Sequence, residues 1–443
     1  MRVLPGTRCL LLAVLVLVPR ALAAQAPDAD PSRPAWWSLH FQQTIVTQHH
    51  GSFAAPYSGR NSLQPEPETK TSLTATLFLG ARLWKGAGLY FNPEISGGEG
   101  LSGVSGVAGF PNGETYRVGQ TKPTVVVGRL YLEQAFGLGD ETAAVPDEPN
   151  RLPGRLAVRR LTLRLGKFSL TDFFDDNRFS HDPRGQFLNW ALMGNGAWDY
   201  AADTRGYTWG LASEYQTSGW AVRAAAVMVP VEANGLKLDT RIGDAHALNL
   251  EAERRHRLLG RPGAARLTLY RNVARMGSYR EAIAAATTPP DLVPTRRYGR
   301  DKNGVGLNLE QELVAGAGVF LRVGWNDGRH ETWAFTEIDR AATLGTSWSG
   351  RAWRREGDRV AGALILSGLS PDHRDYLAAG GYGFIIGDGA LRYGRERILE
   401  AYYSLALPRG LSLTGDFQRV ASPGYNRDRG PLNVLGLRVH LEI

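Results

Sequence analysis

The sequence predicts an all-β fold: a transmembrane antiparallel β-barrel of about 16 strands with an infolded constriction loop. Three observations carry this prediction. Apolar residues recur with period 2 in segments of roughly 10–13 residues, the span of a tilted membrane-crossing strand. Connections alternate between tight turns and long polar loops, as the two rims of a membrane barrel do. Beyond one stretch at the very start, no apolar run approaches the roughly 20 residues that a spanning helix needs. The chain has 443 residues, 43% hydrophobic and 21% charged, which argues against disorder. A soluble β-sandwich would alternate too, so the asymmetry of the loops is what points to lipid.

Taken from the N-terminus, Arg2 and Arg8 precede an apolar run from Cys9 to Val18, and Ala21-Leu22-Ala23 supplies a small-x-small cleavage pattern. Residues 1–23 read as a secretory signal peptide. They hold the single Cys, so the processed chain has no thiol, no disulfide and no cysteine metal site. They also hold three Arg and no acid, so processing takes the formal net charge from +8 to +5. Residues 24–35, rich in Pro and Asp, form a flexible leader, and residues 36–443 a single barrel domain.

The expected strands are 36–48, 71–84, 86–95, 125–138, 156–168, 205–217, 219–229, 245–257, 264–276, 302–315, 317–327, 331–349, 357–369, 397–408, 410–421 and 431–443. In the second of them Leu73, Ala75, Leu77, Leu79, Ala81 and Leu83 share one face, while Ser72, Thr74, Thr76, Gly80 and Arg82 share the other. Val319, Leu321, Val323 and Trp325 alternate in the same way with Gly318, Arg322, Gly324 and Asn326. Lys85, Ser218, Gly316 and Arg409 mark tight turns, whereas 49–70, 96–124, 169–204, 277–301 and 370–396 are long and polar. An even strand count closes the sheet with both termini on the periplasmic side and leaves no unpaired edge in lipid. Two connections depart from the pattern: 139–155 is long for a periplasmic turn, and 327–330 is short for an extracellular loop. Trp36, Trp37, Trp84, Trp325, Tyr402 and Tyr403 lie near strand ends, where interface girdles form.

If the apolar face meets lipid, the opposite face lines a hydrated lumen. Alternation points Arg82, Glu94, Arg129, Glu133, Arg160 and Arg164 inward, together with Tyr90, Asn92, Tyr131 and Arg223. Asn249, Glu251, Glu253, Glu310, Glu312 and Arg322 share that orientation. Bases concentrate on the second to seventh strands and acids on the eighth and tenth, which predicts facing walls of opposite sign. Such walls offer donors and acceptors to a polar solute, whereas a filter for charge alone carries rings of one sign. Arg greatly outnumbers Lys, and a planar guanidinium presents several fixed donors for hydroxyls. A genomic preference for Arg would produce the same count.

The loop 169–204 is the most informative stretch. It combines Phe173, Phe174, Phe179, Trp190, Trp198 and Tyr200 with Asp176, Arg178 and Arg184. Aromatic faces pack on the CH-rich faces of sugar rings while carboxylates and guanidinium groups bond hydroxyls, so the mixture suits a carbohydrate constriction. Phe173, Phe174, Phe179 and Leu188 equally suit an anchor of the loop to the wall, and both roles stay open. The candidate constriction set is Arg82, Glu94, Arg129, Glu133, Arg160, Arg164, Asp176, Arg178, Arg184, Trp190 and Trp198, with Trp190 and Trp198 the expected ligand contacts.

Several stretches resemble the carbohydrate-selective porins of Gram-negative outer membranes, the OprB type. They are GKFSLTDFFDDNRFSHDPRGQFLNWALMGNGAWDY from Gly166, DTRGYTWG from Asp203, AFTEIDRAATLGTSWSG from Ala334, EAYYSLALPRGLSLTGDFQ from Glu400 and SPGYNRDRGP from Ser422. The resemblance implies a 16-strand outer-membrane barrel for passive diffusion of monosaccharides such as glucose, without catalysis or energy coupling. The charged and aromatic eyelet of that family carries over to the Trp190 motif, Arg82 and Glu94.

The partners expected are small sugars and outer-membrane lipid, with a homotrimer as one assembly open to such a barrel. Two alternatives remain open: a porin for other small, anionic solutes, suggested by the positive charge, and a barrel enzyme. For the latter there is no H-E-x-x-H or G-x-S-x-G, and the nine His are scattered. Asp175-Asp176 lacks the spaced ligands of a calcium site. Neither a metal nor another cofactor is expected. No exposed basic cluster suggests nucleic acid, and Arg351-Ala-Trp-Arg-Arg355 reads as a periplasmic turn.

Overall fold

The structure, a computed structural model, describes residues 35–115 and 121–443. The signal peptide and nearly all of the leader lie outside the described residues. Sixteen antiparallel strands close into one barrel. They are β1 (Trp37–His50), β2 (Glu68–Trp84), β3 (Ala87–Gly98), β4 (Thr124–Gly137), β7 (Arg160–Phe168), β8 (Thr208–Gln216), β9 (Trp220–Val227) and β10 (His246–Leu258). The circuit continues with β11 (Arg261–Met276), β12 (Arg297–Val314), β13 (Ala317–Asn326), β14 (Arg340–Gly350), β15 (Arg355–Gly368), β16 (Glu396–Ala406), β17 (Leu411–Ala421) and β18 (Leu432–Glu442). The remaining pair, β5 (Thr142–Val145) and β6 (Gly154–Ala157), forms a separate hairpin. Pairing of β1 with both β18 and β2 completes the circuit. Among the described residues no helix is long and apolar enough to cross a membrane; the crossing elements are strands.

Alternation explains why these segments become strands of a closed sheet in lipid. Leu89, Phe91, Leu211, Leu250, Leu269, Leu344, Leu364 and Leu437 stand exposed on the outer face. Arg322, Arg438, Lys302, Glu251 and Glu400, on the same strands or their neighbours, are fully buried on the inner face. Such a pattern costs too much in water and is favourable when hydrocarbon surrounds the sheet. Closure answers the backbone N–H and C=O groups that lipid would leave unmet. Turns such as 85–86 are tight because Gly86, at φ +79°, comes so close to the Ala135 carbonyl that a Cβ would collide with it.

All sixteen expected barrel strands exist, with one large boundary error. Residues 331–339 are loop, not the start of a strand. There Trp333, Phe335 and Ile338 pack into the loop core, and the backbone N–H groups of Trp333, Ala334 and Phe335 donate to Asp199 at 2.8–2.9 Å. The connection that looked short for an extracellular loop is therefore 327–339, of ordinary length. Tyr402 faces inward, against Phe187, so it is not part of the outer girdle; Trp36, Trp37, Trp84, Trp325 and Tyr403 are exposed.

The long loops do not stand away from the barrel. Leu63, Phe110, Phe174, Trp190, Trp198, Trp333, Phe335, Ile385, Ile386 and Tyr425 come from different loops and are buried in one cluster inside its extracellular half. Three short helices, α1 (Trp190–Met193), α2 (Tyr279–Ala284) and α3 (Pro371–Ala378), brace this cap. What remains open is the lower lumen.

Candidate functional site in the lumen

The constriction is built by the loop that follows β7. Ser169 and Asp172 cap its first turn reciprocally, and Asp172 also receives Arg129 from β4, with Nε at 2.7 Å and Nη2 at 2.5 Å. Asn308 on β12 donates to Asp175 Oδ1 at 2.7 Å, and Arg322 on β13 reaches the Ser180 carbonyl at 2.7 Å. Arg438 on β18 holds the carbonyls of Pro183 and Gln186, each at 2.6 Å. Glu400 on β16 accepts the backbone N–H groups of Leu188 and Asn189 at 2.6 and 3.1 Å. Strand side chains thus clamp the loop at several points along its length and fix what it presents.

At its turn the loop presents Arg184. Its Nη2 donates to Glu94 at 3.0 Å, its Nε to Glu114 at 3.2 Å, and its Nη1 to Thr76 at 3.0 Å and Gln42 at 3.2 Å. Glu94 also accepts from Thr76 at 2.8 Å and from the Tyr207 hydroxyl at 3.0 Å, while Thr74 donates to Glu114. Burial and the Glu94 carboxylate push the Tyr207 hydroxyl well above its ordinary range, so it stays protonated and serves as a donor. The Arg129 guanidinium lies 5.3 Å from the Tyr207 ring centre. Phe78, Tyr200 and Tyr207 join these charged groups around a cavity of about 300 Å³.

Below it opens a wider vestibule of about 1290 Å³. Arg164 donates from Nε to Glu133 at 2.8 Å, and its guanidinium lies 4.2 Å from the Phe173 ring centre. Arg160 bonds Gln216 at 2.9 Å. Arg223 reaches Glu214, Glu251 and Glu253 at 2.5–2.8 Å, and Arg266 reaches Glu253 at 3.1 Å and Glu310 at 3.4 Å. Arg178 closes the series on Glu310 at 2.7 Å. Asp176 lies 3.9 Å from Arg266 and faces the open volume, its side chain 59% exposed. The expected separation into basic and acidic walls is not how the charges are used. Most inward Arg residues sit against carboxylates of adjacent strands or of the loop.

Of the sequence candidates, Arg129 and Glu94 join Arg184 at the narrow cavity. Glu133, Arg160, Arg164, Asp176 and Arg178 line the vestibule. Arg82 borders neither cavity; it donates to the carbonyls of Ala35 at 3.1 Å and Pro153 at 2.8 Å. Trp190 and Trp198, 5% and 2% exposed, lie inside the loop cap. Trp190 stacks on Phe335 at 5.6 Å and donates to the Asn112 carbonyl at 2.9 Å; Trp198 donates to Asn249 at 3.0 Å. The aromatic side chains that line the two cavities are instead Phe78, Tyr131, Phe173, Tyr200 and Tyr207.

Sequence reasoning did not single out Glu114, Asp172 or Tyr207. Asp172 and Tyr207 fall within quoted motifs, but strand alternation has no reach into loops. Glu114 lies in 96–124, where Val104, Val107 and Phe110 are buried; apolar content of that kind in a supposedly exposed loop is the signal that it folds inward. Among the described residues no group of His, Cys, Asp and Glu is arranged to hold a metal.

A guanidinium carries five N–H donors and a carboxylate two acceptor oxygens, so an ion pair at the wall keeps capacity for a passing solute. Alternating donors and acceptors beside aromatic faces match a neutral polyol better than they match a single ion.

The family model described as carbohydrate-selective porin, OprB family, matches residues 60–442. Among solved structures, the high-pH structure of Pseudomonas putida OprB is similar, with a TM-score of 0.70 at 16% identity, covering 92% of this chain and 94% of that one. The low-pH structure of the same porin has a TM-score of 0.50 at 12% identity, covering 92% of each chain. Both likenesses show the barrel fold. No curated protein matches the sequence.

Proposed function

The chain belongs to the OprB family of carbohydrate-selective porins, and from that premise we propose that its eyelet passes single sugar rings, glucose among them, by exchanging their hydration for the wall's paired charges. The protein is a Gram-negative outer-membrane porin through which carbohydrates diffuse, and family and fold make it a channel. It performs no chemistry on the solute in this reading. The observation that carries the choice of a neutral sugar is the pairing of Arg184 with Glu94 and Glu114 and of Arg129 with Asp172 around the narrow cavity.

The chain of events is passive. A sugar at the eyelet meets Tyr200 and Tyr207, whose faces cover its CH groups, while Arg129, Arg184 and their carboxylates take over hydroxyl hydrogen bonds. Each exchange replaces a bond to water with one of similar strength, so binding is weak. Weak binding suits flux, because a site must release what it captures. Below the eyelet, Phe173 under Arg164 offers a second face with donors beside it. An anionic solute gains less, since the carboxylates that neutralise the arginines also repel it.

Proteoliposome swelling tests this reading. Monosaccharides are expected to enter much faster than amino-acid anions of similar size. Equal rates for both, or no sugar entry, would remove the selectivity proposed. Two further expectations belong to the same proposal. N-terminal sequencing of protein from outer membranes should begin at Ala24, and native mass spectrometry should show whether the barrel assembles as a homotrimer.

A further inference from the structure

The connection between β4 and β7 is unlike the other periplasmic turns. Those are 85–86, 217–219, 259–260, 315–316, 351–354 and 407–410, whereas this one runs from 138 to 159 and contains the β5–β6 hairpin. Barrel closure does not need it. Gly137 already pairs with Arg160, and Leu138 N–H donates to the Arg159 carbonyl at 2.8 Å, so β4 and β7 are in register where the insertion leaves them.

The insertion turns back into the barrel. Leu152 is buried where Gly80 of β2 and Gly88 of β3 lack side chains; a Cβ on either would stand 3.3 or 3.2 Å from its methyl carbons. Arg82 of β2 donates to the Pro153 carbonyl at 2.8 Å, and His40 Nε2 of β1 lies 2.9 Å from Asp147 Oδ1. The hairpin therefore crosses from its root at β4 to the inner faces of β1, β2 and β3. Its tip is a tight turn: Arg151 N–H donates to the Glu148 carbonyl at 2.9 Å, and their side chains pair at 2.6 Å. Pro149 supplies the fixed φ of the second turn position and Asn150, at φ +58°, the left-handed third. Pro149 borders both the narrow cavity and the vestibule.

We propose that the 138–159 insertion is a specificity-determining segment, a second constriction below the eyelet that sets the upper size of the sugar admitted. The proposal rests on the sugar-porin reading and adds the size limit to it. With one side of the lower lumen filled by the insertion, a solute leaving the eyelet must pass Pro149 and follow the opposite wall through the vestibule. A single ring can turn there, while a chain of two or three rings must bend around a stiff, pinned tip. Its docking glycines, its clamp at Arg82 and its closed turn make it a fixed part of the wall.

The test replaces residues 139–158 with Asn-Gly, which joins the paired Leu138 and Arg159 through a two-residue hairpin. Swelling rates for glucose, a disaccharide and a trisaccharide are compared in proteoliposomes, with graded polyethylene glycols as size markers. The disaccharide-to-glucose ratio should rise about fivefold or more and the polymer cutoff should move up, while the glucose concentration that halves ion current stays within about twofold. An unchanged ratio and cutoff in a variant that conducts would overturn the proposal. If the parent admits no sugar, the sugar reading fails, and the polymer cutoff alone still judges the insertion. Should the excised chain not fold, Leu152→Asn decides: it frees the hairpin from its glycine seat with the backbone intact, and a cutoff that does not move counts against the proposal.

Discussion

In the extracellular half of the lumen, wall carboxylates hold loop backbone; in the periplasmic half, they hold guanidinium groups. Glu396 on β16 accepts the N–H groups of Ala108, Gly109 and Gly424, and Glu337, itself on the 327–339 loop, does the same for Ile385 and Ile386. The loops so fixed pack Trp333, Ile385 and Tyr425 into a buried core. Lower down, Glu133, Glu214, Glu253 and Glu310 meet Arg164, Arg223, Arg266 and Arg178 around open volume. The difference lies in the partner. An N–H of the chain, once bonded, has nothing left to give, and the carboxylate becomes an anchor. A guanidinium keeps further donors, and the pair becomes a wall that a solute can use.

Glu400→Ala strikes the anchored half and should have the largest effect. It strips the acceptors from Leu188 and Asn189, and each buried N–H left unmet costs about 1–3 kcal/mol. The constriction loop should loosen, seen as a rise in single-channel conductance and in open-channel noise in planar bilayers. A quiet channel of parental conductance would mean that the other clamps suffice. Arg184→Ala strikes the eyelet next. Glu94 and Glu114 lose their counter-charge, so the reversal potential in a salt gradient should move toward cation preference. The glucose concentration for half block should rise about tenfold, or 1.4 kcal/mol.

Smaller changes sharpen the same contrast. Phe173→Ala removes one ring face without touching a formal charge, and should weaken glucose block about threefold with no change in ion preference. Trp190→Phe keeps an aromatic ring between Phe110 and Phe335 but loses the bond to the Asn112 carbonyl. It should cost about 1 kcal/mol of stability, read as a lower heat-unfolding temperature in detergent, with sugar block unchanged. A tenfold loss of block in that variant would bring Trp190 back to the sugar.

The strands were legible because lipid outside and water inside impose a period of 2 on every one of them, and period survives in a single sequence. Residues 331–339 show the limit of that signal: Trp333 and Phe335 stand two apart as in a strand but have no neighbouring strand, because Asp199 takes up the backbone N–H groups of Trp333, Ala334 and Phe335. Arg129, Glu133 and Arg164 could be placed by alternation. Asp172 and Glu114 could not, since loop residues reach the lumen through contacts made far along the chain. Trp190 and Trp198 stand as aromatics among charges, a composition that fits a ligand site and a loop core equally; what separates the two is that neither tryptophan borders the narrow cavity or the vestibule. The length and proline content of 139–155 marked it as unusual, but its return into the barrel depends on Gly80 and Gly88, two strands and one strand away from its root.

Whether a lumen walled by paired charges serves a neutral sugar is decided by titrating glucose against the ion current of the reconstituted protein. Current should fall saturably with glucose and change little with a small organic anion at the same concentration. A current indifferent to glucose and blocked by the anion would contradict that role.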